Sequence, residues 1–418
     1  MQAYALTGPT RLSGEITIHG AKNSALPILA ATVLCRGRCT LRNIPDIEDI
    51  CVACRILRLL GAQVQRQGDT LLVDTTDLEN RPIPAQLAGK MRASILFLGA
   101  LMGRCGKAEI ALPGGCPLGE RPVDLHLSSL QSLGARITVQ DCLVSLSCPG
   151  AAGGRLELPI PSVGATENIL LAACLGTAQT VICGAAKEPE IMDLAHFLQK
   201  AGARICGVGT NTITVHAVPE LSGVTHTVIS DRIEAGTYLC ACAGCGGDVT
   251  LRHADASLLT AVTEPLQAAG CRIEAEGSTI RIRSSGALLM PPDIETQPYP
   301  GFPTDAQPVL MAALLRSEGE CRFRETIFPR RFAHAVQMQR LGADITLCGD
   351  CALLRGGAAL HGASVQAQDL RGGAALLIAC MSAEGKSVVT GVKHVERGYD
   401  NLEKGLAGLG AQIKKVEI

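Results

Sequence analysis

The sequence predicts an α/β protein made of six copies of one unit, gathered into two groups of three. Three observations predict it: a small-Gly-small triplet recurs at a nearly constant period, a segment apolar almost all round lies ahead of each triplet, and alternating apolar residues follow it. The copies are LLGAQV with Gly61, LGARIT with Gly134, AGARIC with Gly202, AGCRIE with Gly270, LGADIT with Gly342 and LGAQIK with Gly410. Successive glycines lie 73, 68, 68, 72 and 68 residues apart.

Each element of the unit has its own signal. Apolar residues at i, i+3, i+4 and i+7 in VDLHLSSLQSL and EIMDLAHFLQK predict amphipathic helices, and the glycine after each suits the left-handed residue past a helix end. The stretches ARITVQDCLVSLSC and CRIEAEGSTIRIR alternate across polar turns and predict hairpins. Ahead of each amphipathic helix stand SALPILAATVLC, ASILFLGALMG, ATENILLAACLG, AGTYLCACAG, AQPVLMAALL and GGAALLIACM; a helix without a polar face must be buried. The unit is thus strand, buried helix, strand, surface helix, hairpin.

Buried helices must be ringed by sheets, so two cores of three units suit a chain of 418 residues better than one. The sixth copy ends at QIKKVEI without a return strand, and AYALTG at the start supplies one. The expected domains are 22–228, and 1–21 with 229–418.

Composition narrows the function. With 38 basic against 39 acidic residues, no Trp, 4 Tyr and 6 Phe, the chain offers neither a basic field nor a base-stacking surface, so nucleic acid is not an expected partner. No 18 consecutive apolar residues and no secretory signal pattern occur, which predicts a cytoplasmic protein without membrane association. The 19 cysteines are odd in number and mostly sit in apolar runs, as reduced core residues do. Cys51 with Cys54, and Cys240 with Cys242 and Cys245, lack a second dithiol or His pair, so no metal site is expected.

Polar residues collect at the mouths of the buried helices: Lys22-Asn23-Ser24, Arg92, Ser162-Val163-Gly164, Asp231-Arg232, Thr304-Asp305 and Asp369-Leu370-Arg371. Ser162, Asp231, Thr304 and Asp369 suit N-caps. Capping leaves Lys22, Arg92 and Arg371 unexplained, because a cation at a helix start opposes the dipole unless something negative joins it. An anion-binding interdomain cleft is the expectation. A second set, Arg121, Arg331 and Arg397, precedes the amphipathic helices and reads either as solvated surface or as part of that cleft. Residues 112–122, LPGGCPLGERP, form a loop able to close over a ligand, and there Cys116 near Arg121 is either a reactive thiol or a loop residue without a role. Neither GxxxxGK[ST] nor a helix-opening GxGxxG is present.

GAKNSALPILAA, KMRAS, LPGGCPLGERPVDLH, SVGATEN, KEPEIMD, SDRIEAGT, PGFPTDAQ, RFAH, QDLRGGAAL and VERGYDNLEKGLAGLGA together resemble, in order and from end to end, the UDP-N-acetylglucosamine enolpyruvyl transferase (1-carboxyvinyltransferase) family of peptidoglycan precursor synthesis. The resemblance implies two inside-out α/β barrels of three repeats each, with no metal or organic cofactor. It implies addition of the sugar 3-hydroxyl to C2 of phosphoenolpyruvate, protonation at C3, and loss of phosphate. Motif by motif, Cys116 takes the place of the C3 proton donor, of the residue that forms a covalent phosphoenolpyruvate adduct, and of the fosfomycin target. Asp305 takes the place of the base, and Lys22, Arg397 and Asp369 complete the catalytic set. Lys22, Asn23, Arg92, Cys116, Arg121 and Arg397 match phosphoenolpyruvate contacts. Arg92, Arg121, Pro122, Val123, Asp124, Leu125, Ser162, Val163, Gly164, Asp305 and Ile327 match UDP-N-acetylglucosamine contacts.

Two departures stand out: Ile160 and Pro161 occupy the stretch where relatives carry a Lys two residues before the SVGAT serine, and Pro329-Arg330 replaces an acidic-Asn pair. Two other readings compete. Transfer to shikimate 3-phosphate shares the fold but has no use for a nucleotide-sugar grip, and an inactive sugar-nucleotide-binding paralogue has no use for a proton donor. A monomer or weak homo-oligomer is expected.

Overall fold

All six glycines of the repeat take positive φ, at 86°, 95°, 115°, 104°, 95° and 101° for Gly61, Gly134, Gly202, Gly270, Gly342 and Gly410. Each follows a surface helix at the point where a Cβ would be strained. These come from a computed structural model, which describes residues 2–114, 123–328 and 330–418. The described residues between 20 and 229 form one compact unit, the first lobe; those of 2–19 and 230–418 form the second.

Within the first lobe the core helices are Lys22–Ala31, Leu96–Cys105 and Val163–Ala173, with Leu96–Cys105 packed on both others. In the second lobe Arg232–Cys245, Gln307–Ala313 and Leu370–Ser382 pack pairwise. They are buried on nearly every face, as their composition requires: from Arg371 to Ser382 every residue is buried. Cys240 and Cys242 lie in this interior, and Cys51 and Cys54 on the helix Glu48–Leu59.

Among the described residues five four-stranded sheets share one order. A short edge strand runs parallel to the strand that follows a core helix; that strand pairs antiparallel with the second hairpin strand, which pairs with the first. The sheet of the second repeat, Lys107–Ala111 with Leu143–Ser147 and Arg136–Gln140, has only a parallel bridge from Ile83 to Ile110 where the others have an edge strand, and Cys35–Arg36 pairs separately with Leu221–Ser222. In the sixth sheet Gln2–Gly8 stands in for the second hairpin strand, between Gly385–Thr390 and Gln412–Glu417, with Gln2 opposite Glu417. The N-terminal strand therefore does complete the last repeat.

One exchange departs from the simple repeat. The edge strand ahead of the first core helix, Leu12–Thr17, pairs not with its own repeat but with Gly247–Arg252 in the second lobe. Thr225–Thr227, ahead of Arg232–Cys245, pairs with Arg38–Arg42 in the first. The chain passes between lobes at 19–20 and at 229–230, and each passage leaves its edge strand behind.

Candidate active site

In the second lobe the three core-helix mouths converge on one guanidinium. Asp231 and Asp369 are N-caps, their carboxylates accepting from Ile233 N and Glu234 N, and from Arg371 N and Gly372 N. Thr304 is not a cap, contrary to expectation. The helix there starts later, at Gln307, and the Thr304 hydroxyl instead donates to Glu325 Oε2 at 2.9 Å. Arg371, 2% exposed, donates from Nε to Asp305 Oδ2 at 3.0 Å and lies over the Tyr399 ring at 5.1 Å. Burial works against its charge, but Tyr399, Asp305 and Asp231 outweigh burial and raise its pKa further.

Arg331 reaches the other oxygen of the same carboxylate, Nη2 to Oδ1 at 3.0 Å, and is 1% exposed. The solvated-surface reading of Arg331 is therefore wrong: its helix mouth packs inward, so the guanidinium meets Asp305 and the Phe328 ring at 5.8 Å. Asp305 is held by two planar cations, while a quarter of its side chain (26%) stays open. His334, one turn on, donates from Nδ1 to Arg331 O at 2.9 Å. Burial drives its pKa down to about 4 against a smaller opposite pull from Asp369.

Glu325 organises the adjoining loop from a buried position. Its carboxylate accepts from Thr296, Thr304, Ile327 N and Phe328 N. Ile327, an expected sugar contact, is thereby presented at the surface, 38% exposed. Arg397 is half-buried, at the end of the helix Val392–Glu396.

The first lobe holds the remaining described residues. Lys22, 8% exposed, bonds Asp49 Oδ2 at 2.8 Å. For Lys22 and Arg371 the negative partner that a helix-start cation demands is thus a carboxylate of the protein itself. Ser24 donates to Asp193, which also accepts from Ile229 N and bonds His226 Nε2, tying the first core helix to residues 226–229. Asn23 is exposed and Arg92 half-buried, the latter in a short 3-10 turn ahead of Leu96–Cys105.

Val123, Asp124 and Leu125 begin one helix, and Ser162, Val163 and Gly164 another, with Ser162 as its cap. Asn168 joins these mouths: Oδ1 accepts from Gly99 N, and Nδ2 donates to Ile95 O and His126 Nδ1. The fixed His126 ring covers Gly164 so closely that a Cβ there would sit 2.7 Å from Cε1. Ile160 points outward, 59% exposed. Cys116, Arg121 and Pro122 lie outside the described residues.

Sequence reasoning left Arg331 open between surface and cleft, and did not assign His334, Tyr399, Glu325, His126, Asn168 or Asp49 to the site. Arg331 and His334 lie in the RFAH phrase, and Arg371 in QDLRGG, so a signal existed for those; nothing local marks Glu325 or Asn168. A cavity of about 630 Å³ lies beside the helix Thr260–Ala268 and is lined by Arg232, Tyr299 and Phe302. Among the described residues, Arg232 is the one helix-mouth residue that lines it, and none of the expected catalytic or substrate contacts does.

Comparison with known proteins gives a consistent picture. Residues 6–406 match the family described as EPSP synthase (3-phosphoshikimate 1-carboxyvinyltransferase). The chain is 42% identical to a UDP-N-acetylglucosamine 1-carboxyvinyltransferase of Psychrobacter sp. (strain PRwf-1), over 100% of this chain and 97% of that one. It is 45% identical to the protein of that name from Gluconacetobacter diazotrophicus, over 100% of both. Among solved structures, the enolpyruvyl transferase NikO from Streptomyces tendae superposes with TM-score 0.91 at 24% identity over 99% of both chains. EPSP synthase from Acinetobacter baumannii superposes with TM-score 0.77 at 18% identity over 100% of both. At these identities the likeness shows a shared fold.

Proposed function

The chain belongs to the EPSP synthase (3-phosphoshikimate 1-carboxyvinyltransferase) family, and within it we propose that it transfers the enolpyruvyl group of phosphoenolpyruvate to the 3-hydroxyl of UDP-N-acetylglucosamine, releasing phosphate. The observation that carries this reading is identity of 42–45% along the whole chain to relatives bearing that activity's name. Its place is peptidoglycan precursor synthesis, in the cytoplasm, as a monomer or weak homo-oligomer; among the described residues no helix is long and apolar enough to cross a membrane. We take the repeat groups, 22–228 and 1–21 with 229–418, as its two domains.

The residues divide the work by charge and proton. Lys22, Asn23, Arg92, Arg121 and Arg397 bind the phosphate and carboxylate of phosphoenolpyruvate. Asp305, clamped by Arg331 and Arg371 with one side open, accepts the proton of the attacking sugar hydroxyl as its oxygen bonds to C2. Cys116 gives its proton to C3, which completes a tetrahedral ketal. Loss of a C3 proton and departure of phosphate then regenerate the double bond. Cations placed before the reaction stabilise the negative charge that leaves, at no reorganisation cost during the step. Asp369 holds the mouth at which Arg371 stands through its cap bonds. The nucleotide sugar is read by Arg121, Pro122, Val123, Asp124, Leu125, Ser162, Val163, Gly164 and Ile327. Ile160 gives it no charged contact.

Phosphate release from phosphoenolpyruvate tests the proposal, with each acceptor supplied separately. Release is expected with UDP-N-acetylglucosamine and not with shikimate 3-phosphate; the reverse result sinks it. Calorimetric binding of the nucleotide sugar without release at high enzyme concentration establishes the non-enzymatic paralogue instead.

A further inference from the structure

The hairpin of the fifth repeat ends in Cys348-Gly349-Asp350-Cys351, with Cys348 and Cys351 as directly opposed partners in the ladder between Asp344–Cys348 and Cys351–Arg355. Gly349 has φ 60°, the positive value that a two-residue hairpin loop asks of its first central residue. Opposed residues of an antiparallel pair put their side chains on one face with Cα atoms about 4.5–5.5 Å apart. Disulfides span about 4.4–6.8 Å between Cα atoms, so the ladder already holds the pair at bonding separation.

The face they share is the outer one: Ile345, Ala352 and Leu354 point into the core, while Cys348 is exposed and Cys351 half-buried. Most other cysteines of the lobe are interior, and Cys35 and Cys39 of the first lobe, which also neighbour each other, are 0% exposed and closed to reagents. The two thiols of the hairpin tip differ. Cys351 donates to Asp350 Oδ1 at 3.4 Å, and burial together with Asp350 pushes its pKa up; Cys348 is the more exposed of the two.

We propose that Cys348 and Cys351 form a reversible dithiol–disulfide site that takes small-molecule disulfides as its oxidant. The Cys348 thiolate attacks one sulfur of the small disulfide, breaking its S–S bond and releasing one thiol. Cys351, giving up its proton, attacks Cys348 Sγ and releases the second thiol. Two protein S–H bonds and one small disulfide become one protein disulfide and two small thiols.

The tip also touches the loop beside Asp305. Asp350 O accepts from Glu325 N at 2.8 Å, and the Asp350 carboxylate is held by Arg324 Nε at 3.1 Å. The Glu325 side chain in turn holds Thr304, Ile327 and Phe328. A covalent closure of the turn restrains the carbonyl on which Glu325 rests, so the redox state of the tip reaches this loop through the Glu325–Asp350 hydrogen bond and the adjoining Arg324–Asp350 pair.

The test incubates the full chain in glutathione buffers of rising oxidised fraction, quenches in acid, alkylates free thiols and digests with trypsin. The peptide Leu341–Arg355 holds these two cysteines and no other. It should change from doubly alkylated to two hydrogens lighter and unalkylated, and return on adding reduced glutathione. Cys351→Ser should instead trap a stable glutathione adduct on Cys348. Two alkylated thiols, or two glutathione adducts, at every ratio while exposed Cys206 is modified would overturn the site. Amide exchange over 323–328 should slow severalfold on oxidation; unchanged exchange with the disulfide present overturns the link to Glu325.

Discussion

Arg371 and Asp305 lie 66 residues apart in the chain and meet at 3.0 Å, guanidinium Nε to carboxylate Oδ2. The contact joins two core-helix mouths of one lobe, and the same guanidinium is stacked on Tyr399. Arg371→Lys keeps the charge but neither the planar fork nor the stacking face. We expect kcat/KM for phosphate release to fall about 100-fold, the scale of losing one aligned donor in such a site. Activity within twofold of the parent shows that Arg331 alone positions Asp305.

His334 sets a pH dependence of stability. Its folded-state pKa of about 4 lies below the ordinary 6.5, so on acidification the unfolded chain takes up this proton first. Its contribution is whole above about pH 6.5, declines as pH falls towards 4, and is flat below; the shift corresponds to about 3 kcal/mol. Urea midpoints between pH 7 and pH 4.5 should fall less steeply for His334→Asn than for the parent. Parallel profiles count against a buried neutral imidazole.

Gly164→Ala forces a Cβ against His126, which cannot yield because Asn168 holds its Nδ1 at 2.9 Å. Overpacking of this kind costs about 1–3 kcal/mol, and the shifted helix mouth should raise KM for the nucleotide sugar more than it lowers kcat. His126→Ala in the same chain should recover part of the stability. Additive losses in that double-mutant cycle show that the two sites do not couple.

For Cys116, Cys116→Asp retains a proton donor and removes the soft nucleophile. Turnover should persist while alkylation by a small anionic epoxide such as fosfomycin disappears. Cys116→Ser should lose turnover, because a hydroxyl is a poor acid at neutral pH. Mass spectrometry placing the epoxide on another residue of the parent contradicts the assignment.

Two glycines separate backbone from packing. Gly270 and Gly408 both face open space, but Gly270 has φ 104° and Gly408 closes the helix Leu402–Gly408 without positive φ. Gly270→Ala should destabilise by about 1–2 kcal/mol from strain alone. Gly408→Ala should stabilise by up to about 1 kcal/mol. Equal thermal shifts of one sign for both would falsify the helix-stop role of the repeat glycine.

The repeat was legible because its parts are local. Helix period, strand alternation and the glycine that tolerates positive φ are each written within a dozen residues, and so were the caps Ser162, Asp231 and Asp369. Thr304 looked the same as those caps, yet its hydroxyl found Glu325 instead. A cap and a distant acceptor compete for one hydroxyl, and only packing decides between them.

By itself the sequence determined six units, their helix stops, the completion of the sixth sheet by the first strand, and the residue types gathered at the helix mouths. Tertiary structure alone decided that Leu12–Thr17 and Thr225–Thr227 join the sheets of other repeats. It alone turned Arg331 inward and set two guanidiniums on one carboxylate. The physical reason is range: dihedral preference and hydrophobic period act between near neighbours in the chain, whereas an ion pair spanning 66 residues exists only once both helices are buried in one core.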